Sequence, residues 1–508
     1  MDTPRQPTET ELKLVLTPAA ERLLPELENF KPPRASSPKS QRVVTTYFDT
    51  SNRDLARRGL SLRVRRAGER RTQAVKASGD GGAALARGEW EWPISKEEPD
   101  LTLAARSPVG NQLPPDVALE PVVVTDVVRT TRMLRVDRTK IEAAIDSGSI
   151  SAGGATRAVH ELELELREGL PGALYRLALT LHAATPLEVE VESKLARGLR
   201  LNRGEPPRPQ KASASDLDAG VRADDSVRKM VGNALGHLLA NRPAAMAGDA
   251  EGVHQTRVAI RRLRSALKLF ETRLEPHAAA LFQNELKRLG RVIGEARDWD
   301  VFCDQVLPET FGQRDGSDFG ELIRNMAEAR RRAADSVCAR ELGAASFTAL
   351  VLGLAAWTET GRERPRALGK GLNKRLDKVA PRLLGRLAQT VEKRGRRLRP
   401  GAAPPELHPL RKALKKLRYG VEFLASLYPP KAVKRFIKRL KNLQKRLGVI
   451  NDGATATRLA ERLAGTGHFE LGPPVGALAM NGEQAYRKAA RKLAREWSAF
   501  QTQERFWE

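Results

Sequence analysis

Glu9-Thr-Glu-Leu-Lys13 begins the first stretch that reads as a strand. Side chains alternate across a strand, so Glu9, Glu11 and Lys13 share one face while Thr10 and Leu12 take the other. One such strand is ordinarily a solvated edge. Here the pattern recurs. Arg63 and Arg65 alternate with Leu62 and Val64, Lys76 ends TQAVK, and Glu89 and Glu91 alternate with Trp90 and Trp92. In IEAAID, Glu142 and Asp146 lie opposite Ile141 and Ile145. Glu161, Glu163 and Glu165 alternate with leucines, and Glu188, Glu190 and Glu192 alternate with Val189 and Val191 up to Lys194.

Some of these charged faces are almost purely acidic and others purely basic. Like charges stacked along a strand repel, and a surface evolved only for solubility mixes the signs. The sorting makes sense if the sheet closes into a barrel, with charges inward and apolar side chains outward beneath helices. Acidic strands would then hold divalent cations and basic strands phosphate oxygens. Carboxylate-only ligation suits Mg²⁺ or Mn²⁺.

Short alternating segments run from Glu9 to about Asn202, and RGEPPRPQKASASDLDAG at Arg203–Gly220 reads as a linker. From Val221 onward the spacing is helical. We expect domains at 1–203 and 221–508, joined by a linker at 204–220. The helical part contains a repeat: VHQTRVAIRRLRSALKLF from Val253 lies over LHPLRKALKKLRYGVEFL from Leu407, an offset of 408 − 254 = 154 between the histidines. The same offset carries Arg257 to Arg411, Arg264 to Arg418, Gly294 to Gly448 and Asp298 to Asp452. Two duplicated helical bundles, about 221–365 and 366–508, follow from it.

The chain holds 88 Lys and Arg against 62 Asp and Glu, a net +26, which attracts polyanions. Two cysteines are too few for a disulfide framework and fit a reducing compartment. No apolar run reaches the roughly 20 residues of a membrane span, and the polar start lacks a signal peptide's apolar core. We expect a cytoplasmic protein without a membrane partner.

At about 100° per residue, His254, Arg257, Arg261, Arg264 and Lys268 fall within one quarter of a helix. The second copy aligns His408, Arg411, Lys415 and Arg418, and Lys434, Lys438 and Lys441 follow at helical spacing. Two basic faces in register would line a groove for a polyanion. Aromatics make up only 5% of the chain, and no helix-turn-helix or zinc spacing appears. We therefore expect an all-phosphate chain and no specific nucleic acid. Metal binding by His254 or His408 is disfavoured, since neither helix offers a Cys or second His at ligand spacing.

ETELK, TYFDT at Thr46–Thr50, RGLSLRVRR at Arg58–Arg66, EWEWPI, IEAAIDSG, HELELEL at His160–Leu166 and ESKLARG at Glu192–Gly198 occur in the order of the CYTH family, the triphosphate tunnel metalloenzymes. HxxRxxxRRLR at His254, HPLRKALKKLR at His408, ARDWD and INDGA resemble the CHAD family. The resemblance implies an α+β chain: an eight-stranded antiparallel β tunnel with flanking helices, then an all-α polyphosphate binder. It implies a metal held by Glu9, Glu11 and a carboxylate among Glu161, Glu163 and Glu165, with Asp146 ligating or orienting a second metal. Lys13, Arg63, Arg65, Lys76, Arg129 and Lys194 would grip the phosphates. Inorganic triphosphate is the preferred substrate, because Trp90 and Trp92 fall on the outward face and no aromatic platform for a base or thiazolium is evident. Thiamine triphosphatase, nucleoside triphosphatase and adenylyl cyclase activity, or a polyphosphate adaptor without turnover, are the alternatives. Polyphosphate binding would also place the protein at polyphosphate granules.

Overall fold

The computed structural model describes residues 10–77, 88–112, 118–213, 216–312, 318–363, 369–396, 398, 402–465 and 472–508. It divides into two compact units. The first comprises Met1–Arg208 with Gly343–Glu363, and the second Pro209–Leu342 with Arg364–Glu508.

The first unit is built on one antiparallel sheet: β1 (Glu11–Val15), β2 (Lys39–Asp49), β3 (Leu60–Ala67), β4 (Arg70–Ala77), β5 (Gly88–Ile94), β6 (Glu120–Val136), β7 (Thr139–Ala152), β8 (Ala155–Glu168) and β9 (Glu188–Glu190). Their order is β5-β4-β3-β2-β6-β7-β8-β1-β9. Alternation in sequence becomes alternation in burial: Leu162 and Leu164 of β8 and Leu12 and Leu14 of β1 are buried on one face, while Glu163 and Lys13 take the other. Gly153 and Gly154, both at positive φ, make the two-residue turn from β7 to β8, a conformation that glycine adopts without strain.

The α+β class is as expected, but the sheet has nine strands rather than eight. Among the described residues no ladder joins edge strand β5 to edge strand β9, so hydrogen bonding does not close the barrel. The reason is local. β9 stops at Glu190, and the Ser193 hydroxyl accepts from the Ala196 amide to cap a helix that starts at Lys194. Lys194 therefore sits on a helix rather than at the end of a strand.

Helices of this unit are α1 (Pro18–Leu23), α2 (Asp54–Arg57), α3 (Leu101–Ala104), α4 (Pro171–Ala184) and α5 (Lys194–Arg203). The buried Asp49 carboxylate accepts from the Thr50, Leu55 and Ala56 amides and so caps α2. α5 packs on β6, β7 and β8.

The second unit contains α6 (Ala223–Met246), α7 (Ala250–Leu269), α8 (Pro276–Val301), α9 (Leu307–Phe311) and α10 (Asp318–Gly343). After α11 (Ala345–Glu363) come α12 (Leu376–Gly395), α13 (Pro404–Phe423), α14 (Pro430–Ala464) and α15 (Gly472–Gln501). The repeat offset recurs in the helix starts: 404 − 250 = 154 for α13 and α7, and 430 − 276 = 154 for α14 and α8. α7 and α13, which carry the two basic stripes, pack against each other. α11 departs from the sequence division: it lies amid the helical region but packs on α4 and β9 and belongs to the first unit. Among the described residues no single helix is long and apolar enough to cross a membrane.

Candidate functional site

The concave face of the sheet encloses a cavity of about 790 Å³. Register explains its walls. Glu165 of β8 stands opposite Glu11 of β1 on one side and Glu142 of β7 on the other. One row further, Glu163 faces Lys13, and in the next row Asp146 lies between Glu161 and Arg129. These are directly opposed cross-strand neighbours, whose Cβ atoms are about 5 Å apart. Arg63, Arg65 and Lys76 of β3 and β4 form the basic wall.

The acidic wall is tightly paired. Lys194 Nζ donates to Asp146 Oδ2 and to Glu163 Oε1, both at 2.8 Å, and also contacts Glu161. Arg129 makes a bidentate pair with Asp146, 2.7 Å on each arm, and reaches Glu163 at 2.6 Å. Desolvation of the half-buried Glu163 would alone raise its pKa, but Lys194, Arg129 and Lys13 outweigh that and hold it well below the usual carboxylate range. The same carboxylates hold the Lys194 and Arg129 pKa values up against burial.

The basic wall is less balanced. Arg63 contacts Glu91 at 3.5 Å, and the Nε atoms of Arg63 and Arg65 are buried without a hydrogen-bond acceptor. Arg63, burial and Arg129 together pull the Arg65 guanidinium down to about 10. Crowded guanidinium groups with idle donors are suited to an incoming polyanion.

Asp146, Glu161 and Glu163 each offer one oxygen, all within 4.8 Å of one another. An all-carboxylate set of this size fits a hard divalent cation. The Lys194 ammonium now contacts all three carboxylates, so lysine and metal would compete for the same oxygens. Glu11, Glu142 and Glu165 form a second carboxylate group on the cavity wall, with Arg167 bridging Glu142 at 3.1 Å and Glu165 at 2.5 Å.

Of the residues singled out in the sequence, Lys13, Arg63, Arg65, Lys76, Arg129, Lys194, Glu11, Asp146, Glu163 and Glu165 line this one cavity. Glu161 is fully buried behind Lys194 and Arg197 instead of lining it. Glu9 lies outside the described residues. Sequence reading placed Glu142 on the charged face without giving it a role, and it assigned nothing to Arg167, Arg197 or Tyr47. Arg167 continues the odd-numbered face of β8, and Glu142 shares parity with Asp146, so both carried a signal. Arg197 is visible only once α5 is known to be a helix.

In the second unit, α7 and α13 bring Arg257, Arg261, Arg411 and Lys415 within electrostatic range of one another. Arg257 pairs with Asp298 at 2.9 Å, and its repeat counterpart Arg411 lies 3.8 Å from Asp452 while donating to neighbouring Asn451 at 3.2 Å. The Nε atoms of Arg261, Arg264, Arg411 and Arg418 are buried without acceptors. Burial, then Arg411, Arg261 and Arg257, bring Lys415 down to about 7. Burial likewise lowers His254 and His408, with nearby cations adding to it. Lys268 pairs with Glu271, and Arg418 pairs with Glu422 at 2.8 Å. Lys434, Lys438 and Lys441 are exposed and rim an apolar groove of about 730 Å³ floored by residues such as Val433 and Ile437.

A CYTH domain model matches residues 7–199 and a CHAD domain model residues 229–461. A protein of Haemophilus influenzae named inorganic triphosphatase is 29% identical over 195 residues, 38% of this chain and 54% of that one. An uncharacterized protein of Mycobacterium tuberculosis is 28% identical over 295 residues, 54% of this chain and 55% of its own length. This chain thus spans about half the length of the curated relatives it matches. The crystal structure of the CHAD domain from the plant Ricinus communis superposes with a TM-score of 0.51 and 30% identity, covering 57% of this chain and 97% of that one. The chain therefore belongs to the CYTH and CHAD families, with a CYTH domain followed by a CHAD domain.

Proposed function

We propose that the first unit hydrolyses inorganic triphosphate to pyrophosphate and phosphate with a divalent cation, Mg²⁺ or Mn²⁺, and that the helical unit holds long-chain polyphosphate. The observation carrying the first half is a single cavity with a carboxylate wall facing crowded guanidinium groups. The similarity to the Haemophilus influenzae triphosphatase supports the same reading. Among the described residues, the one aromatic side chain lining the cavity is Tyr47, while Trp90 and Trp92 pack with Leu62 and Val75 in an apolar cluster. That favours a substrate without a base or thiazolium ring.

Phosphoryl transfer asks mainly for positioning and neutralisation. Arg63, Arg65, Lys76 and Lys13 would hold the phosphate oxygens from the basic side. Lys194 and Arg129, already fixed by the carboxylates, would meet the chain from the opposite wall. Asp146 and Glu163, with Glu11, Glu142 and Glu165 near the second carboxylate group, are the residues that would hold metal. A divalent cation bound there supplies charge neutralisation and Lewis-acid activation of water.

Glu11→Ala is expected to abolish Mg²⁺-dependent phosphate release from triphosphate while leaving polyphosphate binding unchanged. Release at the wild-type rate would remove the site assignment.

For the helical unit, the supporting observation is the cluster of buried Nε donors without acceptors on α7 and α13. It predicts a pH dependence. Lys415 titrates at about 7, with Arg411 on its own helix, Arg257 and Arg261 across from it, and Asp452 opposing them. An anion favours the charged amine, so binding takes up a proton above pH 7. Affinity for polyphosphate should be full below pH 7 and fall by up to about tenfold per unit as pH rises above it. Lys415→Arg stays charged and should flatten that slope between pH 7 and 9 in a calorimetric titration. Equal slopes in the two proteins would exclude Lys415 as the titrating group.

A further inference from the structure

Tyr47 lines the cavity, and the proposed site leaves its hydroxyl unused. It lies on β2 on the same face as Thr45 and Val43, opposite Arg63 of β3 and Val123 of β6. The β2–β6 register shifts between Tyr47 and Phe48. Such a bulge re-aims side chains and often sits beside functional sites. Tyr47 belongs to an apolar cluster with Val123, Ile150 and Val159, against which Leu195 and Leu199 of α5 pack.

Buried tyrosine hydroxyls ordinarily find a hydrogen-bond partner. Among the described residues no protein group bonds this one, although Tyr47 is 8% exposed and borders the cavity. Four cations lining the same cavity, Arg63, Arg65, Lys13 and Lys194, lie within electrostatic range of it. Burial on its own would raise the phenol's pKa, yet these charges together lower it. A donor held by apolar packing at the wall of a cation-rich cavity is placed for an anionic acceptor.

We infer that the Tyr47 hydroxyl donates a hydrogen bond to a phosphate oxygen of the bound triphosphate, stopping the chain against the α5 end of the cavity. This rests on the triphosphate reading of the cavity. A hydrogen bond to a charged oxygen is stronger than a neutral one.

The test compares the full chain with Tyr47→Phe, which keeps the ring packing and removes only the donor. With Mg²⁺ and tripolyphosphate, kcat/KM is expected to fall about ten- to a hundredfold, with the melting temperature unchanged. The pH profile supplies a readout that packing alone would not move. Ionisation of Tyr47 removes the donor and places a negative charge against the phosphate, so the wild-type kcat/KM declines on the alkaline side before the Arg65 limb common to both proteins. Tyr47→Phe should lack that earlier decline. In the metal-free proteins, tripolyphosphate should shift one tyrosine's ultraviolet phenolate titration upward in the wild type and none in the variant. Tripolyphosphate that binds both proteins with equal affinity, equal kcat/KM and identical pH profiles overturns the role of Tyr47 alone. Absence of tripolyphosphate binding to the wild type overturns the triphosphate reading and this inference with it.

Discussion

Glu163→Gln is expected to reduce phosphate release at least about a thousandfold and to lower the stability of the first unit. Glu163 is the shared partner of three cations: Lys194 at 2.8 Å, Arg129 at 2.6 Å and Lys13 at 3.7 Å. Neutralising it leaves those cations facing Arg63 and Arg65 with one carboxylate fewer. Breaking a buried ion pair from one side costs about 3–5 kcal/mol. Gln retains a hydrogen-bond acceptor, so the lower end applies. The rate loss corresponds to about 4 kcal/mol of transition-state stabilisation. It is expected because Glu163 both orients Lys194 and offers an oxygen to the proposed metal. The sign of the pH effect follows from its depressed pKa. The stabilisation is full above the unfolded carboxylate value near 4.3 and lost only as pH falls through the lower folded value, so wild type and variant should converge in acid. Urea midpoints across that range test the stability arm. Glu161→Gln is the informative contrast. Glu161 is more deeply buried and does not border the cavity, so its variant should lose stability with a smaller loss of turnover. A Glu163→Gln protein that turns over within tenfold of wild type would remove this residue from the site.

Much of this site was legible because a strand's period of two leaves little freedom. Once Glu11 faces inward, so does Lys13, and the same parity sorts Arg63 with Arg65 and Glu163 with Glu165. What parity could not give is which strands become neighbours, and that is where Glu161 and Glu163 part company. They share a face of β8, yet Glu161 is sealed behind Lys194 and Arg197. Lys194 was assigned to a strand because Glu188, Glu190 and Glu192 alternate up to it. The Ser193 cap competes with that pattern and wins. For the lysine stripe on α14 the limit is a different one. Helical spacing places Lys434, Lys438 and Lys441 on one face, but spacing says nothing of what lies beside that face, and here it is an apolar groove. The duplication was easier to read, since one offset carries both residues and helix starts.

A chain ended at Arg208 is expected to aggregate or to melt far below the intact first unit, although Arg203–Gly220 reads as a natural place to cut. The cause is α11. It returns from residues 345–363 to pack on α4 and β9, burying Phe347, Val351 and Leu354. On the α4 side, Leu174, Leu177 and Leu181 are buried as well. The His182 ring nitrogen Nε2 lies 2.8 Å from the Ala345 carbonyl oxygen. Burial together with the nearby Glu359 carboxylate pushes the Tyr175 phenol up to about 12. Each large apolar side chain contributes about 1.5–3 kcal/mol when fully buried. If removing α11 uncovers roughly half the burial of three such α4 side chains, the loss is about 2–5 kcal/mol, a large share of the ~5–15 kcal/mol that holds a domain together. Residues 1–208 joined through a flexible Gly/Ser linker to 343–363 should regain a cooperative melt. The separate α11 peptide should raise the melting temperature of the short fragment in proportion to the logarithm of its concentration. In the full chain, Leu354→Asp should destabilise the first unit and weaken hydrolysis without altering polyphosphate binding. A fragment 1–208 that melts cooperatively at the temperature of the linked version would show that α11 is dispensable. Otherwise a loss of hydrolysis on removing everything after the linker reports a missing helix of the catalytic unit, and cannot be taken as a sign that polyphosphate binding drives turnover.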